Sequence, residues 1–156
     1  MNGVAAAPSS PVRQVLVVED EYFLASMLAL SLQLDGFRVV GPAGSVPQAL
    51  ALLEKHRHVD CAVLDLNLQG EAAYPVADTL LERRVPFLFL TGYARQIVPD
   101  KYAEVQLRQK PVEGAQLSRL LQDLLGGAGR DRDSRPAGTG HVPERLPGRL
   151  PRPSLT

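Results

Sequence analysis

Apolar residues fall into two alternating rhythms along the middle of this chain. Residues 15–18 are a continuous run of valine and leucine, the mark of a strand buried on both faces. Residues 21–35 follow with Phe23, Met27, Leu30 and Leu34 at helical spacing, and Gly36 stands in the C-terminal cap position. A short second strand is predicted at 38–40. Ser45 is placed to cap a helix running through Lys55, with Val46, Leu50 and Leu53 on one face. Residues 61–66 are predicted to be the third strand, broken by the Gln69-Gly70 turn, and 75–84 the next helix, with Pro75 tolerated in its first turn. The fourth strand is predicted at 86–90 and ends at Thr91-Gly92. Residues 94–102 contain Pro99 and have only a weak helical pattern. A fifth strand at 104–108 and a helix at 112–125, with Leu117, Leu120, Leu121 and Leu124 on one face, complete the pattern.

Five strands alternating with five helical segments predict an α/β fold of βαβ units, with a parallel sheet covered on both sides. In such sheets chemistry gathers at the carboxyl ends of the strands.

Composition changes near Gly126. The last 31 residues, 126–156, hold 6 Gly, 5 Pro and six Arg against three acids. So many breakers with so little apolar surface predict a disordered tail. Residues 1–11 are expected to be a flexible arm, leaving one domain over 12–125. That domain carries 11 basic and 14 acidic side chains, although the whole chain is neutral. Neutrality argues against binding nucleic acid by bulk electrostatics. A single cysteine, Cys61, excludes an internal disulfide or a cysteine-based zinc site. No run approaches the ~18 apolar residues of a membrane span, and residues 1–11 lack the basic start and apolar stretch of a signal peptide. The expected location is cytoplasmic.

The polar residues at the strand ends carry the chemistry. The first strand ends in Glu19-Asp20-Glu21, and the third carries Asp65 followed by Asn67. The fourth ends in Thr91-Gly92, and Lys110-Pro111 follows the fifth. In a parallel sheet these groups share one edge. Crowded carboxylates repel, so either one takes up a proton or a cation joins them. A hard ion, Mg2+ or Mn2+, prefers oxygen ligands; Asp20, Asp65 and a backbone carbonyl near Asn67 are available. A carboxylate beside such an ion is able to attack a phosphoryl group, with Lys110 pairing with its oxygens and Thr91 donating a hydrogen bond. These are the components of an aspartyl-phosphate site.

Over about residues 13–125 the chain resembles the CheY-like receiver domains of two-component response regulators. VLVVEDE (15–21), DCAVLDLNLQG (60–70), PFLFLTGYA (86–94) and LRQKPVE (107–113) carry the likeness. The resemblance implies a flavodoxin-like (βα)5 three-layer sandwich with strand order 2-1-3-4-5. It makes Asp65 the phosphoacceptor, Glu19 and Asp20 the acidic pair that holds metal, and Asn67 a ligand through its backbone carbonyl. It also makes Thr91 the switch hydroxyl and Lys110 the phosphate-pairing lysine, in a cis Lys110-Pro111 bond.

A sensor histidine kinase or a histidine phosphotransfer protein is the implied partner. A stand-alone phosphoacceptor is then expected, with output by protein–protein contact. It would have no DNA-binding domain and no substrate turnover beyond its own phosphorylation and dephosphorylation. Where many receivers carry an aromatic switch residue, this chain has Leu107. PFLFLTGY is also similar to the strand-four signature of the FATGUY receivers, which are often partnered with HWE or related kinases.

Other readings remain for the same residues. Glu19 and Asp20 would also suit the start of a helix, Thr91 alone would be an ordinary strand-end residue, and Lys110 a surface lysine. A receiver-like interaction module that is never phosphorylated is one alternative. Another is a phosphohydrolase resembling the haloacid dehalogenases. That class wants a second acid two residues beyond its nucleophile, where this chain has Asn67. His56 and His58 are expected to be solvated, and Cys61 to be a small buried hydrophobe.

Overall fold

A computed structural model describes the backbone of residues 11–133 and the side-chain surroundings of residues 11–127. The elements are β1 (Gln14–Val18), α1 (Tyr22–Leu34), β2 (Arg38–Ala43), α2 (Val46–Lys55), β3 (Cys61–Asp65), β4 (Asn67–Leu68), β5 (Glu71–Ala72), α3 (Tyr74–Glu82), β6 (Phe87–Thr91), β7 (Gln106–Gln109) and α4 (Gly114–Asp133). The main sheet runs β2-β1-β3-β6-β7, all parallel, which is the expected order 2-1-3-4-5. β3 and β6 are buried at every position, as their unbroken apolar runs require.

Alternation along the strands divides the core in two. Leu16, Val18, Ala62, Leu64, Phe87 and Phe89 meet α2 and α3 on one face. Val15, Val17, Cys61, Val63, Leu88 and Leu90 meet α1 and α4 on the other. The flavodoxin-like three-layer sandwich is therefore observed. Ser45 caps α2 as expected, its Oγ accepting from Gln48 N at 3.3 Å. α1 closes on Gly36 at φ +95°, with Phe37 N donating to Leu32 O at 3.0 Å.

Five features differ from the sequence reading. The fourth helical segment does not form: residues 92–99 are irregular, and only Asp100–Tyr102 make a single 3-10 turn, so among the described residues four helices flank the sheet. Pro99 supplies no amide hydrogen there, and the fully buried Tyr102 ties the chain to the core instead. β4 and β5 form a small antiparallel hairpin after β3, turning through Gln69 (φ 54°) and Gly70 (φ 86°).

In α1 the spaced set Phe23, Met27, Leu30 and Leu34 is exposed, while Ala25, Leu28, Ala29 and Leu32 are buried. This helix has no charged residue, so its periodicity marks two apolar faces. The face with two alanines is the one able to lie close on the sheet. Lastly, α4 continues past Gly126-Gly127 to Asp133. Each added residue of a formed helix gains a hydrogen bond, which offsets the roughly 1 kcal/mol a glycine costs. The arm expected over 1–11 and the tail expected over 126–156 otherwise lie outside the described residues.

β2 also runs longer than read. Its register slips against β1 between Leu16 and Val18, where Gly41 sits at φ +94° beside a cis Gly41-Pro42 bond. A side chain at Gly41 would put its Cβ 2.8 Å from Ala43 N. Pro42 is tolerated because β2 is an edge strand.

Candidate phosphoryl-transfer site

The carboxyl ends of β1, β3, β6 and β7 converge, and the acidic pair, Asp65, Thr91 and Lys110 meet there. Glu19, Asp65 and Thr91 are each at most 5% exposed. Lys110 Nζ lies 2.7 Å from Asp65 Oδ2 and 2.8 Å from Glu19 Oε2. Asp65 Oδ1 accepts from Asn67 N at 3.1 Å, and Glu19 Oε1 from Glu21 N at 3.2 Å. Asp20 is turned toward the hairpin, where its Oδ2 accepts from Gln69 N at 2.9 Å. Thr91 Oγ1 accepts from Tyr93 N at 3.1 Å. Lys110 N donates to Thr91 O at 2.7 Å, which ties the ends of β6 and β7 together. The Lys110-Pro111 bond is cis, as the resemblance implied.

Burial is the first cause that pushes the Glu19 carboxyl up, to about 7, and the Asp65 charge adds to it; the Lys110 ammonium opposes both. Burial alone would lower Lys110, but its bonds to Asp65 and Glu19 outweigh that and raise it. One ammonium therefore serves two carboxylates.

Glu19, Asp20 and Asp65 each offer an oxygen within 4.8 Å of the others. Glu19 Oε2 is fully buried, and its partner among the described residues is the Lys110 ammonium, which it shares with Asp65. Three carboxylates with a single ammonium among them, one of them with a fully buried oxygen, fit a hard divalent cation.

A cleft of about 260 Å3 opens beside Asp65, bounded by Asn67, Thr91, Tyr93 and Gln96 among others. Asn67 also turns the hairpin, its Oδ1 accepting from Gly70 N at 2.8 Å. His58 lies away from this edge, 3.1 Å from Asp60 Oδ1, and Cys61 is buried in the core, where burial pushes its thiol up to about 12.

The sequence reading missed the support beneath the cleft. Tyr102 stacks on Tyr74 at 5.1 Å, meets the edge of Phe89 at 5.6 Å and donates its hydroxyl to Asp78. Lys101 Nζ pairs with Asp78 Oδ1 at 3.0 Å. Burial and the Asp78 bond raise the phenol, while the same bond and Lys101 lower Asp78. An isolated tyrosine after a proline gives no periodic signal; only the topology brings it under Phe89.

Similarity to known proteins agrees with this geometry. The family model described as the response regulator receiver domain matches residues 15–122. The solution structure of SdrG from Sphingomonas melonis Fr1 is 37% identical, covering 74% of this chain and 98% of that one, with a TM-score of 0.64. The sensory transduction protein RegX3 of Mycolicibacterium smegmatis is 35% identical over 75% of this chain and 53% of its own length. The transcriptional regulatory protein PdtaR of Mycobacterium tuberculosis is 24% identical over 81% of this chain and 62% of its own length. The chain thus spans between half and two thirds of these curated relatives. No helix among the described residues is long and apolar enough to cross a membrane. The chain belongs to the response regulator receiver domain family of two-component signalling.

Proposed function

We propose that this chain accepts a phosphoryl group on Asp65 from a phosphohistidine on a sensor kinase or phosphotransfer protein. The observation that carries this reading is the Asp65 carboxylate, buried yet facing a cleft and held between Lys110 Nζ and Asn67 N. In the transfer a carboxylate oxygen bonds to phosphorus as the P–N bond to imidazole breaks. With its other ring nitrogen protonated, the imidazole leaves neutral, and an acyl phosphate remains. Lys110 then pairs with a phosphoryl oxygen, and Thr91 turns its hydroxyl from accepting to donating. Glu19, Asp20, Asp65 and the Asn67 carbonyl would hold Mg2+ or Mn2+, which supplies charge neutralisation for the incoming phosphoryl group. Burial of the site restricts water, with the exposed Tyr93 at its rim.

The donor's docking surface is the exposed stripe of α1. Phe23 and Leu34 are 71% and 79% exposed, and the helix starts two residues after Asp20. An uncharged apolar strip leading to the site suits a helical donor whose histidine must reach Asp65. Leu107 and PFLFLTGY support assignment to the FATGUY subgroup, with an HWE or related kinase as donor. We further assign the receiver to 12–125, with output by protein–protein contact and action in the cytoplasm.

Intact mass after incubation with a small phosphodonor tests the central step. One phosphoryl adduct is expected with Mg2+, reduced without it and absent in Asp65→Asn. An adduct that persists in Asp65→Asn would place the chemistry elsewhere. If neither a small donor nor a kinase phosphorylates the chain, it is an interaction module. Turnover of a phosphate monoester would instead favour the hydrolase reading.

A further inference from the structure

The end of the sheet opposite Asp65 holds a cleft of about 590 Å3. It forms where β1, β3 and β6 begin and α2 and α3 end. Arg13, Arg57, His58, Arg83 and Arg84 reach it from three separate loops, and Asp60 is its only acid. That acid is already engaged: Oδ2 accepts from Gln14 N at 2.7 Å, and Oδ1 lies 3.1 Å from His58 Nε2 and 3.7 Å from Arg13 Nη1. Arg83 is fixed, its Nη1 donating to Leu53 O at 2.6 Å. Among the described residues Arg57, Arg83 and Arg84 form no ion pair, so three guanidinium charges face one concavity without a counter-charge.

The backbone gives a second, independent observation. Arg84 N donates to Leu81 O at 3.1 Å and Val85 N to Leu80 O at 2.9 Å, closing α3, and Arg84 sits at φ 56°. α1 closes in the same way with Gly36 in that position. A left-handed residue there favours glycine, and an arginine spends stability to occupy it. The guanidinium it carries into the cleft is the one thing glycine would not supply.

We propose that this cleft binds a small phosphorylated molecule, its phosphates on Arg57, Arg83 and Arg84 and the remainder against Val59, Val85 and Pro86. Planar guanidinium forks match phosphate oxygens bidentately, and several together suit an anion of charge above one. The volume is in the range of small-molecule sites, and the aliphatic wall leaves room for an organic portion. The site is distinct from the phosphoacceptor edge and does not depend on it.

Calorimetric titration of the full chain in EDTA tests this, with inorganic phosphate, pyrophosphate, ATP and adenosine as probes. Saturable binding of pyrophosphate or ATP is expected, with adenosine silent. It should weaken about tenfold or more in Arg57→Ala and in Arg84→Gly, and stay unchanged in Asp65→Asn. Arg84→Gly keeps the backbone its position prefers, so its melting temperature should equal or exceed that of the parent and a binding loss reports the guanidinium. ATP binding more tightly than pyrophosphate would locate the organic portion on the aliphatic wall; equal affinities would mean that the phosphate chain alone is read. Absence of saturable binding by both at millimolar concentration, binding indifferent to both arginine changes, or binding lost in Asp65→Asn would each overturn the proposal.

Discussion

Glu19 is the residue on which the electrostatics of the phosphoacceptor edge turn. Its carboxyl rises from 4.5 to about 7, mainly through burial, so between those values the folded chain holds a proton that the unfolded chain has released. Stability in EDTA therefore falls as pH rises across that window and levels off above it. The ceiling on this effect is about 3 kcal/mol. Glu19→Gln removes the proton from the balance. The difference in unfolding free energy between parent and variant, followed by denaturant titration from pH 4 to 8, should grow in the variant's favour toward pH 7. A difference independent of pH would show that Glu19 does not titrate there. Mg2+ competes with that proton, so its affinity should rise over the same window. Asp78, lowered by Tyr102 and Lys101, acts in the opposite sense and only at more acid pH, leaving the two effects separable.

At the scale of elements, α1 has two faces with different tasks. Its inner face packs on the sheet and on α4, where Gly114 leaves no room: an added Cβ would lie 1.7 Å from Ser31 Oγ and 2.4 Å from Ser31 Cβ. The hydroxyl is free to rotate away, but the Cβ is not. Gly114→Ala should cost about 1–3 kcal/mol, and Ser31→Gly in the same chain should recover part of it, a coupling read by a double-mutant cycle. The outer face carries the docking prediction. Met27→Asp and Leu30→Asp should slow phosphorylation by a protein donor at least tenfold while leaving the rate with a small phosphodonor unchanged. Equal loss with both donors would assign the stripe to folding rather than recognition.

The two faces also show what the sequence makes legible. β1, β3 and β6 are readable because strands buried on both sides leave unbroken apolar runs, and strand order places Glu19, Asp65, Thr91 and Lys110 on one edge. Which face of an uncharged helix is buried is not encoded in periodicity; it is decided by the closeness of approach that Ala25 and Ala29 permit. The missing helix at 94–102 and the Tyr102 anchor were likewise settled by long-range packing against Tyr74, Phe89 and Asp78.

For the whole molecule, the sheet is a rigid frame with one loosely built side. Thr91 and Lys110 close the ends of β6 and β7, and between them Gly92–Val98 forms no regular element, with Ile97 89% exposed. Beyond it Tyr102 is locked into the core, its amide donating to Pro99 O at 2.9 Å. If Asp65 is phosphorylated as proposed, movement is expected between the two anchors. Leu107 is half-buried against the core and has no aromatic ring to swing inward. On the proposed function the trigger left is the Thr91 hydroxyl: turning to a phosphoryl oxygen, it would deprive Tyr93 N of its acceptor. Beryllofluoride with Mg2+, standing in for the phosphoryl group, should change hydrogen exchange at residues 93–98 and leave the Tyr102 amide protected. In Thr91→Ala the Tyr93 amide has already lost that acceptor, so its exchange should be fast beforehand and respond little to beryllofluoride. A response of the same size in Thr91→Ala, or one confined to α2 and α3, would mean that the signal leaves Asp65 by another route.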